Sequence, residues 1–590
     1  MTNLKKWYIK NKNIDYKEIS KKFHISNFLA KLIVNRDLID DDLIESFLNP
    51  SVKLLHPAKE MKDVENAAKI IKEKIYEKKR IRVIGDYDVD GVISTFLLYS
   101  ALKRVGALVD YDIPDRIKDG YGINIDIINR AKAEGVDTLI TCDNGIAAIN
   151  EIEHAVSSDM TVIVTDHHDI PFVEDDNGFR RFIVPKAQCV VNPKQEDCHY
   201  KFKKICGAAV AYKFIETLYD EFSISKEEAM KFIEFVAIAT VCDVVDLVDE
   251  NRIFVKEGLK MLNNTENIGL KALLKINNIL DKTLSAYHLG FVIGPCINAS
   301  GRLDNARRGI ELLLSKEEET ANRLAKELYD LNSERKDMTK DGVDKAIEII
   351  EKNNYKDQSV FVIYVPDIHE SLAGIVAGRV REKYNVPSII ITKAEEGVKG
   401  SGRSIEGYNM FEELLKCKDL LTRFGGHPMA TGLSMEKENI DLLRERLNNM
   451  SPLTKDDLIP KIYLDMQLPI KTISYEIIDE LHSLEPFGKA NPKPLFGEKG
   501  LKAIRANILG KNKNVLKIQF LSKEGLLVEG IYFGDIEEFE NIIIMKYGEN
   551  ELKNLYEGNK NNIYIDIVFY PEVNEFNGNT SIQLMIEDFR

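Results

Sequence analysis

The stretch Ile81-Arg82-Val83-Ile84-Gly85-Asp86-Tyr87-Asp88-Val89-Asp90-Gly91 decides the fold of this protein. It leads from a short β-rich run through three aspartates into a helical run from Val92 to Leu102. Strands that alternate with helices form parallel α/β sheets, and such sheets bind ligands outside the carboxyl ends of their strands. We therefore expect a parallel sheet that carries Asp86, Asp88 and Asp90 at its ligand-binding edge.

Two further predicted strands end in polar residues of the same kind. Thr138 to Cys142 leads into Asp143-Asn144-Gly145, and Thr161 to Thr165 leads into Asp166-His167-His168. A separate apolar run delivers one carboxylate, Asp243, at its end. A single terminal aspartate is usually a helix cap, but capping does not account for the adjacent histidines. Because these ends would meet at one edge of one sheet, the sequence predicts a divalent-metal site there.

An EF-hand calcium loop is the main alternative for the aspartate-rich segment, because its opening spacing is the same. The twelfth position of such a loop is a glutamate that binds calcium through both oxygens. Counted from Asp86, that position is Leu97, so we exclude the calcium loop.

Composition limits the classes of protein that fit. The 590 residues are 44% hydrophobic and 30% charged, which predicts several globular domains. We see neither a membrane-spanning apolar run nor a secretory signal and expect a cytoplasmic location. The seven cysteines are scattered, so no disulfide framework or zinc ribbon is expected. With a net charge of −14, any nucleic-acid site must be a local groove, whereas the excess of carboxylates suits a metal centre.

The pattern along the chain predicts two α/β domains joined by a long helix, followed by a small β-barrel. In the second α/β domain, the glycine clusters Gly400 to Ser404 and Gly425 to Pro428 are expected to form loops. The predicted units are an N-terminal helical segment (1–79), the first α/β domain (80–314), the connecting helix (315–354), the second α/β domain (355–457) and the barrel (458–590).

The order of these motifs resembles the DHH phosphoesterase superfamily. Four motifs carry the resemblance: Asp86 to Gly91, Asp143-Asn144-Gly145, Asp166-His167-His168 and Asp243. Within the superfamily the chain is similar to the RecJ-type exonucleases over nearly its whole length. The stretches that carry this similarity are Pro114-Asp115-Arg116 with Gly120-Tyr121-Gly122, Asn298 to Arg302, His369 to Arg379, Gly400 to Ser404, Gly425 to Gly432, and Pro486-Phe487-Gly488 with Asn491-Pro492.

The resemblance implies an architecture and an activity. The two α/β units would be a DHH catalytic domain and a DHH-associated substrate-binding domain, and the barrel would be an OB-fold, a module that binds single strands. The activity would be metal-dependent 5′-to-3′ hydrolysis of single-stranded DNA to mononucleotides in DNA repair and recombination. The implied partners are single-stranded DNA and, further, a single-strand-binding protein and a helicase.

The resemblance also assigns roles to individual residues. Two Mn²⁺ or Mg²⁺ ions would activate water and offset charge on the leaving oxygen. The implied ligands are Asp86, Asp88, Asp143, His167 and Asp243, with Asp90 and His168 as further ligands or supporting groups. Asp166 is a candidate for orienting an imidazole. Asp88, His168 and His427 are the implied catalytic residues, and Arg116, Arg302, Ser401 and Arg403 are implied to bind a 5′-phosphate.

Other functions share some of these features. A DHH phosphatase for short oligonucleotides or cyclic dinucleotides has the same metal motifs, but the barrel and the long helix count against so small an enzyme. An inactive DHH relative that binds DNA as a scaffold is the second alternative, and the intact acidic motifs count against it. For single residues, each arginine has a surface ion pair as its alternative, and His427 has a satisfied position in a glycine turn.

Overall fold

A computed structural model describes residues 5–116, 119–174, 178, 180–510, 512–576 and 578–590. The N-terminal segment contains a short strand and four helices. Their bounds are β1 (Lys6–Ile9), α1 (Tyr16–Phe23), α2 (Asn27–Val34), α3 (Asp41–Leu48) and α4 (Val64–Tyr76).

The first α/β domain contains the predicted parallel sheet. The strands of this domain are β2 (Arg80–Ile84), β3 (Leu108–Asp112), β4 (Thr138–Cys142), β5 (Thr161–Thr165), β6 (Phe172–Glu174), β7 (Arg180–Phe182) and β8 (Cys189–Val191), of which β6 and β7 form a separate antiparallel pair. Its helices are α5 (Val89–Arg104), α6 (Ile125–Ala133), α7 (Ile149–Ser157), α8 (Gly207–Glu221), α9 (Lys226–Met230), α10 (Ile233–Cys242), α11 (Asp249–Leu262), α12 (Ile268–Ile276), α13 (Ala286–His288), α14 (Gly294–Leu303) and α15 (Arg307–Leu314), with a π-helix at Leu289–Ile293. The sheet has the order β3-β2-β4-β5-β8, and all its strand pairs are parallel.

Both faces of this sheet are buried, as is usual for parallel sheets. Val83 and Ile140 face a core that includes α4, α5 and α8. Ile84 and Leu139, one position away on the same strands, face a second core under α6 and α7. Since successive side chains of a strand point to opposite faces, this double burial explains the continuous apolar runs in the sequence.

The predicted connecting helix is present as α16 (Glu318–Lys352). Its 35 residues span about 52 Å at 1.5 Å per residue. Leu324 and Leu328 pack in the core of the first α/β domain, and Ala346 and Ile350 pack in that of the second. None of the described helices is long and apolar enough to cross a membrane.

The second α/β domain contains a mixed sheet of order β12-β13-β11-β10-β9. The expectation that its two glycine clusters form loops was wrong, because they lie in strands β11 and β12. Backbone pairing to β13 holds both segments. Gly400 and Gly402 lie on the buried face, where a Cβ would meet core side chains such as Leu433 and Met410, whereas Gly425 has open space beside it. The elements are β9 (Phe361–Tyr364), α17 (Ala373–Tyr384), β10 (Ser388–Lys393), β11 (Val398–Arg403), α18 (Met410–Leu415), β12 (Arg423–His427), β13 (Ala430–Met435) and α19 (Ile440–Asn449).

The C-terminal domain is the predicted β-barrel of OB type. Five strands pair in the order β16-β17-β18-β20-β19, and β19 also pairs with β16. This is the five-stranded Greek-key arrangement of OB-folds. The elements are β14 (Lys461–Leu464), β15 (Met466–Gln467), α20 (Tyr475–Ser483), β16 (Phe496–Leu509), β17 (Val515–Leu521), β18 (Leu527–Tyr532), α21 (Ile536–Tyr547), α22 (Glu549–Glu557), β19 (Tyr564–Phe576) and β20 (Asn579–Phe589).

The N-terminal segment is divided between two of these cores. Ile33 of α2 and Phe47 of α3 are buried in the core of the barrel, whereas Ala67 and Ile71 of α4 belong to the core of the first α/β domain. Strand β1 pairs in parallel with β14. The N-terminal segment thus packs on the C-terminal domain of the same chain.

Candidate metal centre and substrate cleft

The carboxyl ends of β2, β4 and β5 bring the predicted acidic and histidine side chains together. Asp143, directly after β4, has the left-handed φ of 59° that non-glycine residues seldom adopt. Gly207, at the start of α8, lies so close that a Cβ there would be 2.8 Å from the Asp143 side chain. The fold therefore places Asp143, in its left-handed conformation, against the N-terminus of α8, where Gly207 has no side chain.

Within the part of the chain that the structure describes, three overlapping groups of side chains could hold metal ions. In each group, one ligand atom from every residue lies within 4.8 Å of the others. His167 Nε2 is 3.1 Å from Asp143 Oδ1 and 3.7 Å from both Asp90 Oδ2 and Asp243 Oδ2. The groups are Asp86, Asp88 and Asp143; Asp90, His167 and Asp243; and Asp143, His167 and His168.

The charges in this centre fit divalent cations. Asp86 Oδ1, Asp143 Oδ1 and His167 Nε2 are buried and have no hydrogen-bond partner among the described residues. Burial and the nearby Asp88 raise the pKa of Asp86 well above its ordinary value. Burial and neighbouring carboxylates, Asp90 foremost, do the same for the pKa values of Asp143 and Asp243. Cations would supply the missing partners and stabilise the ionised carboxylates.

Asp90 is held by the start of a helix. Its two oxygens accept hydrogen bonds from the backbone N–H groups of Gly207 and Ala208, at 2.6 and 2.8 Å. Burial and the charge of Asp88 nevertheless raise its pKa to about 6. Asp90 therefore both anchors α8 to the centre and keeps an oxygen near His167.

Asp88 and Asp243 lie at helix ends. Asp88 is the N-cap of α5, and its Oδ1 accepts the N–H of Gly91 at 3.0 Å. Asp243 follows the last residue of α10 as its C-cap. The helix-cap alternative and the ligand role are thus compatible for Asp88, because a carboxylate has further lone pairs.

Asp166 orients the histidine pair. Its Oδ1 accepts hydrogen bonds from His168 Nδ1 at 2.7 Å and from the backbone N–H of His167 at 2.7 Å, and its Oδ2 accepts from Ile146. Burial alone would lower the pKa of His168, but the bond to Asp166 and the nearby carboxylates outweigh it and raise that pKa to about 9. Burial and His168 lower the pKa of His167 to about 3. His167 is therefore a neutral imidazole, the form that binds metal ions.

A cavity of about 380 Å³ lies beside the metal centre, between the two α/β domains. Tyr87 and Arg116 line it from the first domain, and Ser401 lines it from β11. The Arg116 guanidinium stacks over the Tyr87 ring at 4.7 Å. Two of the four residues predicted to bind a 5′-phosphate therefore face one cavity.

The other two predicted phosphate ligands lie at the junction of the same domains. Arg403 Nη1 donates to Ser401 Oγ at 3.2 Å, and a Cβ at Gly374 of α17 would be 2.8 Å from both side chains. Arg302 Nη1 donates to the main-chain oxygen of Ser371 at 2.7 Å. Burial and the nearby Arg116 lower the pKa of Arg302 to about 10. Clustered guanidinium groups of this kind attract an anion.

His427 ends β12 on the exposed face of the second sheet. The pKa of Asp169, one residue after His168, is lowered by its hydrogen bond to Lys194 and, to a smaller extent, by the charge of His427. His427 is therefore within electrostatic range of Asp169, which follows the histidine pair.

Several residues around the site were not singled out from the sequence as functional. The hydroxyl of Tyr121 donates to the main-chain oxygen of Asp143 at 3.0 Å and lies 3.2 Å from His168 Nε2. Glu370, Lys399 and Arg423 line the cavity with Ser401. The sequence did contain one signal for a strand at this position. Arg423, Gly425 and His427 are spaced two residues apart, as side chains on one face of a strand are.

Comparison with protein families agrees with this architecture. Residues 80–240 match the DHH family N-terminal domain, residues 357–450 match the DHHA1 domain and residues 464–588 match the RecJ OB domain. The fold and the acidic centre define a metal-dependent phosphoesterase of the DHH class that carries an OB-fold.

Whole-chain comparisons identify the family within that class. The chain is 34% identical to the single-stranded-DNA-specific exonuclease RecJ of Bacillus subtilis over 99% of its own length and 70% of that protein. It is 31% identical to the Escherichia coli exonuclease of the same name, covering 92% of both. The crystal structure of RecJ from Thermus thermophilus in complex with Mn²⁺ superposes with a TM-score of 0.81 at 25% identity, covering 100% of this chain and 80% of that one. The chain belongs to the RecJ family of single-stranded-DNA-specific exonucleases.

Proposed function

We propose that this protein is a Mn²⁺- or Mg²⁺-dependent exonuclease that removes mononucleotides from the 5′ end of single-stranded DNA. The observation that carries the proposal is the position of the cavity. A group of cationic side chains from two domains lies directly beside a centre of buried carboxylates and histidines. Such an arrangement can hold the terminal phosphate of a strand while the next phosphodiester lies at the metals.

The chain's own residues divide the work at this site. We assign metal binding to Asp86, Asp88, Asp143, His167 and Asp243, with Asp90 as a ligand that also anchors α8. When bound, the two ions supply an activated water and offset negative charge on the leaving oxygen. His168, held by Asp166 and charged below about pH 9, can donate a proton or neutralise charge at the scissile phosphate. His427 would approach the same phosphate from the second domain.

Polarity would follow from recognition of the strand end. A terminal 5′-phosphate carries more charge and more free oxygens than an internal phosphodiester. Guanidinium groups bind such an oxygen set through paired hydrogen bonds. Arg116, Arg302 and Arg403, with the hydroxyl of Ser401, are the proposed ligands.

The barrel would bind the strand beyond the active site. A groove of about 590 Å³ on β16 and β17 is lined by Arg505, Lys517 and Tyr556 among others. Cations along a groove and an aromatic ring for stacking are the usual elements of single-strand binding. A single-strand-binding protein and a helicase as partners, a role in DNA repair and recombination, and a cytoplasmic location also belong to this proposal.

The proposal is tested with one oligonucleotide prepared with the label at either end. Protein stripped of metal is incubated with it with and without Mn²⁺, and the products are separated by size. We expect the 5′ label to appear at once in mononucleotides and the 3′ label to remain on progressively shorter strands. A duplex of the same sequence is the control. Release of mononucleotides from the 3′ label first would refute the polarity, and DNA binding without any product would favour the scaffold alternative.

A further inference from the structure

The cleft-facing side of the second sheet carries more positive charge than one terminal phosphate requires. Strand pairing places Arg423 of β12 opposite Ser434 of β13, which in turn is opposite Lys399 of β11. All three residues line the same cavity as Arg116 and Ser401. We call Arg423, Ser434 and Lys399 the outer row.

A strip of bare backbone separates the outer row from the proposed phosphate ligands. Gly425 and Gly432 are paired across β12 and β13, and Gly432 is also paired with Ser401. A Cβ added to either glycine would meet no atom within 4 Å. These glycines are therefore not required by packing, and their absent side chains leave room in the cavity for a ligand close to the main chain.

Along β11 the outer row lies on the opposite side of Ser401 from Arg403. His427, Ala430 and Arg403 form the next row on the far side of the glycines. Residues two positions apart on a strand are separated by about 7 Å. A group that extends from the 5′-phosphate away from the scissile bond would therefore reach Arg423 and Lys399.

We propose that the outer row is a second anion subsite, which accepts the additional phosphoryl groups of a strand that ends in a 5′-polyphosphate. This inference rests on the proposed function and extends it to a further class of strand end. The two cations suit phosphoryl oxygens better than they suit a neutral base or sugar. The chain of a 5′-triphosphate is long enough to pass over the glycine strip.

One carboxylate tunes the subsite. Glu370 lines the cavity, and its Oε2 lies 3.0 Å from Lys399 Nζ. This ion pair offsets part of the lysine's charge, so Arg423 is the main cation of the row. Neutralising Glu370 should therefore strengthen binding of a polyphosphate, whereas neutralising Arg423 should weaken it.

The first turnover on such a strand would release a different product from the turnovers that follow it. Water adds across the bond between phosphorus and the 3′-oxygen of the terminal nucleotide. The remaining strand keeps that phosphorus as its new 5′-phosphate, and the released nucleotide gains a 3′-hydroxyl. A strand that begins with a 5′-triphosphate would therefore release an intact deoxynucleoside triphosphate first, and monophosphates thereafter.

The experiment compares one oligodeoxynucleotide with a 5′-triphosphate or a 5′-monophosphate, with mass-spectrometric detection of the first product. We expect the parent protein to release a deoxynucleoside triphosphate. The ratio of kcat/KM for the triphosphate to that for the monophosphate should fall about 10-fold or more in Arg423→Gln, as for loss of a charge-assisted hydrogen bond. It should rise in Glu370→Gln. Lys393→Gln, an exposed lysine of β10 outside the cavity, should leave it unchanged.

The outcomes separate the two claims. The outer-row subsite alone would be overturned if the monophosphate strand is degraded while the triphosphate strand stays intact. It would also be overturned if the first products of the triphosphate strand are pyrophosphate and a nucleoside monophosphate. An equal loss on both substrates in Arg423→Gln would do the same. If neither strand is degraded in Mn²⁺, the proposed function fails and the subsite fails with it. Thermal unfolding of each variant shows whether a loss is due to misfolding.

Discussion

His168 Nδ1 lies 2.7 Å from Asp166 Oδ1, and this hydrogen bond directs the other ring nitrogen towards the hydroxyl of Tyr121. Asp166 is buried, and its pKa is lowered because the hydrogen bond to His168 and the charge of that imidazolium outweigh the effect of burial. The pair therefore exists as an aspartate and an imidazolium in the protein without metal, and its charge state gives the protein a defined response to pH.

The first prediction concerns that response. The folded-state pKa of His168, about 9, is above the unfolded value of about 6.5. The stability that His168 contributes is thus complete below about pH 6.5 and is lost as the pH rises through about 9. His167, with its lowered pKa, contributes no change in this window. We expect the thermal midpoint of the metal-free protein to fall between pH 6.5 and 9, and to fall less in Asp166→Asn.

Differential scanning fluorimetry in EDTA across this pH range provides the measurement. Mn²⁺ should reverse the trend, because binding to carboxylates and neutral imidazole becomes stronger as protons are lost. A midpoint that is equally pH-dependent in the parent and in Asp166→Asn would contradict the assignment of the shift to this pair.

The second prediction separates the two roles of Asp88. As the N-cap of α5 it accepts a hydrogen bond, a role that asparagine fills equally well, whereas the proposed metal site needs its charge. Asp88→Asn should therefore abolish hydrolysis without loss of stability. Asp88→Ala should abolish it and also cost about 1 kcal/mol. Asp143→Ala should be inactive and folded.

Activity on single-stranded DNA, binding of Mn²⁺ by calorimetry and thermal unfolding distinguish these outcomes. Asp126→Asn, at an exposed position in the first turn of α6, is the control and should retain activity. Substantial turnover by Asp88→Asn would show that its charge is not needed.

The metal centre was the part of the structure most accessible from the sequence. Parallel strands align their carboxyl ends, so Asp86, Asp143 and His167 could be placed together from three strand ends alone. The contacts that refine the site could not be predicted this way. The hydrogen bonds of Asp90 come from Gly207 and Ala208, more than a hundred residues away, and no local pattern records them.

Strands β11 and β12 show the opposite case. Glycine and serine are depleted in ordinary strands, so their clusters near Ser401 and Gly425 favoured a loop interpretation. The apolar side chains that normally reveal a strand are missing here, because buried positions of β11 are occupied by Gly400 and Gly402 and the other face is open to the cleft. The packing of α2 and α3 against the barrel was not predicted for a different reason. A contact between segments that are far apart in the chain leaves no local periodicity in the sequence.

The third prediction concerns a buried arginine that joins three parts of the chain. Arg252 of α11 donates hydrogen bonds to the main-chain oxygens of Phe47, Leu484 and Ser483, at the ends of α3 and α20. Its exposed fraction is 1%. Arg252→Met would leave these acceptors without their donors and should destabilise the protein by about 3 kcal/mol or more.

Urea unfolding followed by the fluorescence of Trp7 measures this effect. Trp7 is the single tryptophan, and its Nε1–H donates to Asp588 at 2.7 Å, so it reports on the joined N- and C-terminal parts. Lys260→Met, at an exposed position of the same helix, should change stability by no more than about 0.5 kcal/mol. Equal midpoints for the parent and Arg252→Met would refute a structural role for the arginine.

The fourth prediction uses the division of the N-terminal segment. Deleting residues 459–590 alone would expose the apolar side chains of α2 and α3 that pack in the barrel core, among them Ile33 and Phe47. We expect that protein to aggregate. Deleting residues 1–50 as well should restore solubility and retain cleavage of very short strands, while binding to long strands is lost.

Size-exclusion chromatography and cleavage of a short and a long oligonucleotide check both truncations. If the double truncation is soluble but inactive on the short strand, the barrel supports the active site rather than only binding DNA. If the protein that lacks only residues 459–590 is soluble and monomeric, packing in the barrel core is not needed to keep the apolar side chains of α2 and α3 from causing aggregation.

The last prediction tests recognition of the 5′ end through Arg403. Its Nη1 donates to Ser401 Oγ and to the main-chain oxygen of Gly402, so the guanidinium is held at the cleft with donors to spare. Charge-assisted hydrogen bonds contribute roughly 1.5–3 kcal/mol, so Arg403→Ala should lower kcat/KM on 5′-phosphorylated strands by about 10- to 150-fold. The loss should be smaller on strands with a 5′-hydroxyl. Arg302→Ala should show the same selectivity, with an added loss of stability from its broken bond to Ser371. Arg446→Ala, at a surface ion pair with Asp419 in the same domain, should leave both substrates unaffected. An equal loss on phosphorylated and hydroxyl-ended strands would show that Arg403 supports the cleft without reading the terminal phosphate.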